Sequence, residues 1–203
     1  MDYSDAIQTL KNSDPILATL IEIVGDCKLS QVQHTGDLLF SLSRSIIYQQ
    51  LSGKAAAAIH NRFLLLYPHS PYPTASQILN TPDDVLRGAG ISRSKILYLK
   101  DLAQKIDGLP TLEELQTMDD EEIINTLTPI KGIGRWTVQM LLMFTLHRLD
   151  VLPVDDLGIR AGIRKLYGLA ELPKKKNVED LGQMWKPYRT IACWYLWRSL
   201  ELS

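Results

Sequence analysis

Two stretches of the chain bring chemically capable groups together at meaningful spacing. The first is Lys131-Gly132-Ile133-Gly134-Arg135, between an acid-rich segment at 119–127 and an apolar segment that runs from Trp136 to about His147. Both flanks read as helices, so the Gly-x-Gly joins a helix pair and the second helix starts with backbone N–H groups that have no helical acceptor. Glycine lets such a backbone approach a ligand closely. N–H groups at the positive end of a helix dipole hold an anion such as a phosphate, and Lys131 and Arg135 would add charge. A plain helix–helix turn is the simpler reading of the same residues. The second stretch is Val151-Leu-Pro-Val-Asp155-Asp156-Leu157-Gly158-Ile159-Arg160. Its two carboxylates sit where an N-cap is expected. A capping aspartate accepts backbone N–H bonds, which favour its ionised form, and an ionised carboxylate is what a cationic transition state needs nearby. Here the structural and the chemical readings are compatible.

These groups have to be held by helices. Asp14-Pro15, Thr81-Pro82 and Thr111 with Glu114 read as N-caps, the first two with proline at the first helical position and the third as a capping box. Apolar residues recur at three and four spacing, as in Ile16, Leu17, Leu20, Ile23 and Val24, and again in Ile96, Leu97, Leu99, Leu102 and Ile106. Strand-like alternation with hairpin turns is almost absent, and about ten helices joined by short loops make an all-α bundle. The 203 residues are enough for one large domain or two small ones.

The net charge of -1 speaks against nucleic-acid binding by bulk charge. Its distribution speaks otherwise. Segments 87–100 and 128–149 hold only bases, 158–176 is strongly basic, and the acids gather in 107–122 and 1–37. Cys27 and Cys193 rule out a disulfide scaffold and a four-cysteine metal site, and fit a reducing compartment. His34, His60, His69 and His147 have no metal-ligand spacing and are expected on surfaces or helix faces. The acidic, polar N-terminus is not a secretory signal, and the apolar stretch 38–47 is too short and polar to span a membrane. An intracellular protein is expected, in cytoplasm and nucleoid or in a nucleus.

The order of helix, Ile-Lys-Gly-Ile-Gly-Arg-Trp-Thr turn (130–137), apolar helix and Leu-Pro-Val-Asp-Asp-Leu-Gly-Ile-Arg (152–160) resembles the helix-hairpin-helix DNA glycosylase superfamily. Trp185-Lys-Pro-Tyr-Arg189, Trp194-Tyr-Leu-Trp197, Ile46-Ile-Tyr-Gln-Gln-Leu-Ser52 and Gly90-Ile-Ser-Arg-Ser-Lys95 are similar to its alkylation-repair branch, the DNA-3-methyladenine glycosylase II type. The resemblance implies two lobes: 38–150, ending in the helix-hairpin-helix at about 119–148, and 1–37 with 151–203, with DNA in the cleft between them.

It also implies roles. Asp156 matches the catalytic aspartate, with Asp155 a structural neighbour. Lys131, Gly132, Ile133, Gly134 and Arg135 match the phosphate-binding hairpin, where the backbone carbonyls of Thr128, Ile130 and Ile133 could hold Na+ or K+; no other cofactor is expected. Trp136, Met140 and Trp197 match the base pocket, Met140 standing where some relatives carry tyrosine. Gln50 and Leu51 lie in the loop that wedges into DNA, either being the wedge. Ser92, Lys95 and Arg160 are further DNA-backbone contacts. Trp136 stands where bifunctional relatives carry a nucleophilic lysine, so no lyase activity is expected. The implied function is removal of alkylated purines from duplex DNA by a monomer. A glycosylase of the same fold for another lesion, or a non-catalytic module that binds damaged DNA, are the alternatives.

Overall fold

The computed structural model describes residues 2–31 and 36–202; His34 lies outside them. Every regular element among the described residues is helical. In chain order these are α1 (Ser4–Ser13), α2 (Pro15–Val24), α3 (Leu38–Tyr48), α4 (Gly53–Leu65), α5 (Ala75–Asn80), α6 (Asp83–Gly88), α7 (Arg93–Lys105), α8 (Leu112–Thr117), α9 (Asp120–Leu127), α10 (Arg135–Phe144), α11 (Leu157–Leu166), α12 (Lys175–Leu181) and α13 (Arg189–Ser199). The total exceeds ten because α5, α6, α8 and α12 are single short pieces of six or seven residues. None of the helices described is long and apolar enough to cross a membrane.

The chain divides into two compact units, residues 34–141 and residues 1–33 with 142–203, and the boundary falls inside α10. In the first unit the helices start where side chains can satisfy their orphan N–H groups. Asp37 accepts the Phe40 N–H at 2.8 Å, and Ser92 caps α7. Thr74 with Gln77, and Thr111 with Glu114, form reciprocal capping boxes. Thr81 is not the N-cap its proline suggested. Its hydroxyl donates back to the Gln77 carbonyl at 2.7 Å and meets the Tyr67 hydroxyl at 2.9 Å. That leaves Pro82 at the cap position, with Asp83 and Asp84 placing negative charge in the first turn of α6. The core of this unit is built from Leu42, Ile46 and Ile47 of α3, Phe63 of α4 and Ile96, Leu99 and Leu102 of α7, all essentially inaccessible.

Of the two places expected for the histidines, His60 takes a helix face, that of α4, and the face is buried, leaving it only 7% exposed. It makes edge-on contacts with Phe40 and Tyr48 at 5.6 and 6.0 Å between ring centres, and its Nε2 is buried with no hydrogen-bond partner. Burial, and then the nearby Arg44 charge, push its pKa down to about 4. In an unfolded chain it titrates near 6.5 (roughly). Between those values the unfolded state binds the proton more readily, so stability falls as pH drops through that window and is untouched above it. Urea midpoints of the wild type are expected to fall faster between pH 6.5 and 4 (about) than those of His60→Phe; parallel profiles would refute this.

In the other unit α13 is the central helix, with Thr190, Ile191, Ala192, Cys193, Trp194, Tyr195, Leu196 and Ser199 buried. A Cβ on Gly162 of α11 would lie 2.6 Å from the Leu196 carbonyl oxygen, so glycine there permits the close approach of α11 to α13. Asp14 is a buried polar hub. Its Oδ1 accepts the Ile16 and Leu17 N–H groups at 3.1 and 3.0 Å, capping α2. Its Oδ2 accepts the Trp185 indole N–H at 2.8 Å and the Tyr167 hydroxyl. Burial and this bond raise the Tyr167 pKa well above the ordinary phenol range.

Candidate active site and nucleic-acid interface

In the 34–141 unit, α9 and α10 form the expected helix pair around residues 128–134. Gly132 has φ +79°, and a Cβ there would lie 2.2 Å from the Tyr98 ring. Both facts demand glycine. Gly134 is different: a Cβ would meet nothing within 4 Å, and its φ is not in the left-handed region. The first helical bond of α10 runs from the Val138 N–H to the Gly134 carbonyl at 3.2 Å, so the N–H groups of residues 135–137 lie ahead of the helical ladder. Nothing within the folded protein requires glycine at 134, whereas a phosphate approaching that helix start would. Gly134→Ala is therefore expected to melt within about 2 °C of wild type yet bind duplex DNA at least ~10-fold more weakly, a loss of ~1.4 kcal/mol. Filter binding and a thermal melt check this, and wild-type affinity in the variant would remove Gly134 from the interface.

Lys131 donates its backbone N–H to Asp101 at 2.9 Å while its side chain is exposed. Arg135 is paired with Glu121, both largely exposed, and such surface pairs contribute little and yield to a better anion. Ile130 and Ile133 are buried, and the Ile130 carbonyl already accepts the Ile133 N–H at 3.0 Å.

Gln50 and Leu51 are both exposed, at the turn between α3 and α4. Gln50 has φ +57°, uncommon for a non-glycine residue. Beside it, Gln49 donates through Nε2 to the Gly132 carbonyl at 2.7 Å and to Thr137 Oγ1 at 3.3 Å. Ser92 is occupied as the cap of α7 and meets the Ser94 hydroxyl at 3.1 Å. The Lys95 ammonium donates to the Ile47 and Gln49 carbonyls at 2.8 and 2.7 Å. Those carbonyls end α3, where cations and donors are favoured.

In the unit of residues 1–33 and 142–203, Asp156 is the N-cap of α11. Its Oδ1 accepts the Ile159 N–H at 2.8 Å and the Trp197 indole N–H at 3.0 Å. The Trp197 ring stacks on Phe144 at 5.8 Å with 28° between planes. Gly158 is explained by the same contact, because a Cβ there would lie 2.9 Å from the indole. Asp155 is exposed and pairs with Lys175 at 2.5 Å. The loop that delivers Asp156 is fixed to the start of α13. Arg189 holds Asp150 through Nε at 2.6 Å and Nη2 at 2.9 Å, and Thr190 bridges the Arg148 carbonyl and the Val151 N–H at 2.7 and 3.0 Å. Burial, and then the Asp156 charge, push the Cys193 thiol far above its ordinary range, which leaves it inert.

A cavity of about 420 Å³ is lined by Phe144, Trp194 and Trp197 with Asp26, Lys28 and Arg198. Arg160, expected to reach DNA, donates through Nε to the Pro173 carbonyl at 2.9 Å. In the 34–141 unit Trp136 is 40% exposed and Met140 half-buried. Among the described residues no cluster of His, Cys, Asp and Glu could hold a metal ion.

One unit carries a helix hairpin closed by Gly132 and Gly134, and the other an aspartate presented at a helix start beside an indole. Residues 43–187 match the family described as HhH-GPD superfamily base excision DNA repair protein. The chain is 42% identical over 186 residues to DNA-3-methyladenine glycosylase 1 of Schizosaccharomyces pombe, covering 91% of this chain and 82% of that one. A solved structure of the S. pombe 3-methyladenine DNA glycosylase in complex with abasic DNA superposes with a TM-score of 0.92 at 40% identity, covering 98% of each chain. That of a Bacillus halodurans DNA-3-methyladenine glycosidase gives 0.80 at 37% identity, covering 95% of this chain and 88% of that one. The chain belongs to the HhH-GPD superfamily, in its alkylation-repair glycosylase branch.

Proposed function

We propose that the protein is a monofunctional DNA glycosylase that flips alkylated purines, of the 3-methyladenine and 7-methylguanine type, out of duplex DNA and hydrolyses their N-glycosidic bond, beginning base excision repair. The observation that carries this reading is the carboxylate of Asp156, fixed by the Ile159 N–H and the Trp197 indole. A base within a duplex is out of reach, so it is extruded at a cost of a few (about 2–4) kcal/mol. A side chain from the Gln50-Leu51 turn fills the gap it leaves. The hairpin of residues 131–135 grips the phosphate backbone. Thr128, Ile130 and Ile133 carbonyls are neutral oxygen donors suited to Na+ or K+, and each has two lone pairs, so the bond that Ile130 already accepts leaves capacity for an ion. Such an ion would add positive charge beside the phosphate.

A 3- or 7-alkylated purine is cationic. It leaves with the bonding electron pair and becomes neutral, so no strong general acid is required. Asp156 stabilises the oxocarbenium-like sugar and orients the water that adds at C1′, whose proton passes to solvent. Indole faces favour cations by roughly 0.5–2 kcal/mol, which suits the exposed Trp136 to an electron-poor base. Tryptophan cannot form a Schiff base, so the product is an intact abasic strand. The enzyme acts wherever the genome is kept, in a nucleoid or a nucleus.

Borohydride added during turnover on duplex DNA carrying 7-methylguanine is expected to trap no covalent protein–DNA adduct, with strand breaks appearing only after alkali. A trapped adduct would identify a nucleophilic amine and overturn the monofunctional mechanism.

A further inference from the structure

One face of α7 meets both DNA-directed parts of the 34–141 unit. Lys95, Tyr98 and Asp101 are spaced three apart, so they lie along one side of the helix. Lys95 donates to the Ile47 and Gln49 carbonyls at 2.8 and 2.7 Å, immediately before the Gln50-Leu51 turn. Tyr98 lies against Gly132, so close that no Cβ fits. Asp101, 9% exposed, accepts the Lys131 N–H at 2.9 Å and the Lys105 ammonium at 2.7 Å. Gln49 closes the circuit through its bond to the Gly132 carbonyl at 2.7 Å. The turn and the hairpin are thus joined twice, directly through Gln49 and indirectly through α7.

We propose that Lys95 is a positioning residue for base flipping: with Tyr98, Asp101 and Gln49 it holds the Gln50-Leu51 wedge turn in fixed register with the phosphate-binding hairpin. Two of its three ammonium donors are committed to carbonyls, in charge-assisted bonds. Gln50 shows why support is needed there. A non-glycine residue at positive φ is strained and persists only where its surroundings over-determine it. Gln49, its neighbour, is held by both its carbonyl and its side chain. With the two parts in register, gripping the phosphates sets the wedge at the correct step of the duplex. Without the strut, the hairpin still binds but the turn relaxes and the base stays stacked.

The inference rests on the glycosylase reading and separates from it in the test. Wild type, Lys95→Met and Gln49→Ala are compared in two measurements. The first is the dependence of log K on log salt for a labelled duplex with a tetrahydrofuran abasic analogue. The second is the fluorescence of 2-aminopurine next to 7-methylguanine, with base release in single turnover. Both variants are expected to keep the wild-type salt slope while losing at least tenfold (about) in flipping and release, and the double variant is expected to lose more than either one, since both links are then broken. A lysine on a phosphate would instead lower the slope by about 0.9 on its removal. That result, or wild-type flipping in Lys95→Met, overturns the proposal. Should Lys95→Met fail to fold, Gln49→Ala decides alone by the same two criteria. A wild type that releases no base refutes the glycosylase reading instead.

Discussion

Asp156→Asn is expected to lower single-turnover release of 7-methylguanine by about 10²–10³-fold, the scale of removing one preorganised electrostatic group from a transition state. The fold is expected to survive. Asparagine caps helices about as well as aspartate, and its amide oxygen can accept the same Ile159 N–H and Trp197 indole bonds at 2.8 and 3.0 Å. DNA affinity is expected to stay near wild type, because the hairpin at 131–135 does not include Asp156. The three readouts together separate chemistry from structure: rate falls, while Tm and affinity stay. A variant that releases the base as fast as wild type would reduce Asp156 to a helix cap.

The second large effect is on stability. Asp14→Ala removes a helix cap worth about 1 kcal/mol and leaves the Trp185 indole N–H and the Tyr167 hydroxyl without their acceptor. Each such orphan costs about 1–3 kcal/mol when buried. Trp185 is fully buried and Asp14 2% exposed, so water cannot substitute. The sum is a loss of roughly 3–7 kcal/mol, a large part of a typical domain's 5–15 kcal/mol (about). Urea denaturation is expected to show it as a large drop in midpoint. Asp14→Asn, which keeps one acceptor oxygen, should fall between. A loss under about 1 kcal/mol for the alanine variant would mean that the hub is not rigid.

How much of this could be read in advance depended on chain distance. The hairpin glycines, the Asp14 and Thr111 caps and the Asp156 cap are visible because cap and helix, or turn and helix, are neighbours in the chain. Thr81-Pro82 misled because the same local pattern allowed a back-bond to Gln77, and the bond to Tyr67 settled its direction. The burial of His60 and the carbonyl partners of Lys95 were not legible for a related reason. A single polar residue on a helix says little about burial until the aromatic shell of Phe40 and Tyr48, or the end of α3, is packed against it. Beyond its own helix cap, the support of Asp156 is long-range. Trp197 lies 41 residues away and Arg189 reaches Asp150 across 39. Gly158 carried a faint signal, since a glycine in the first turn of a helix needs a reason, and the indole supplies it.

The fixed carboxylate of Asp156 and the hairpin of residues 131–135 are expected to excise alkylated purines together. The most direct test is to incubate duplex DNA, methylated so as to carry 3-methyladenine and 7-methylguanine, with the wild-type protein and to identify the free bases by chromatography. Release of the methylated purines with the sugar–phosphate strand left unbroken is expected. No released base, or release of unmodified purines at the same rate, would contradict it.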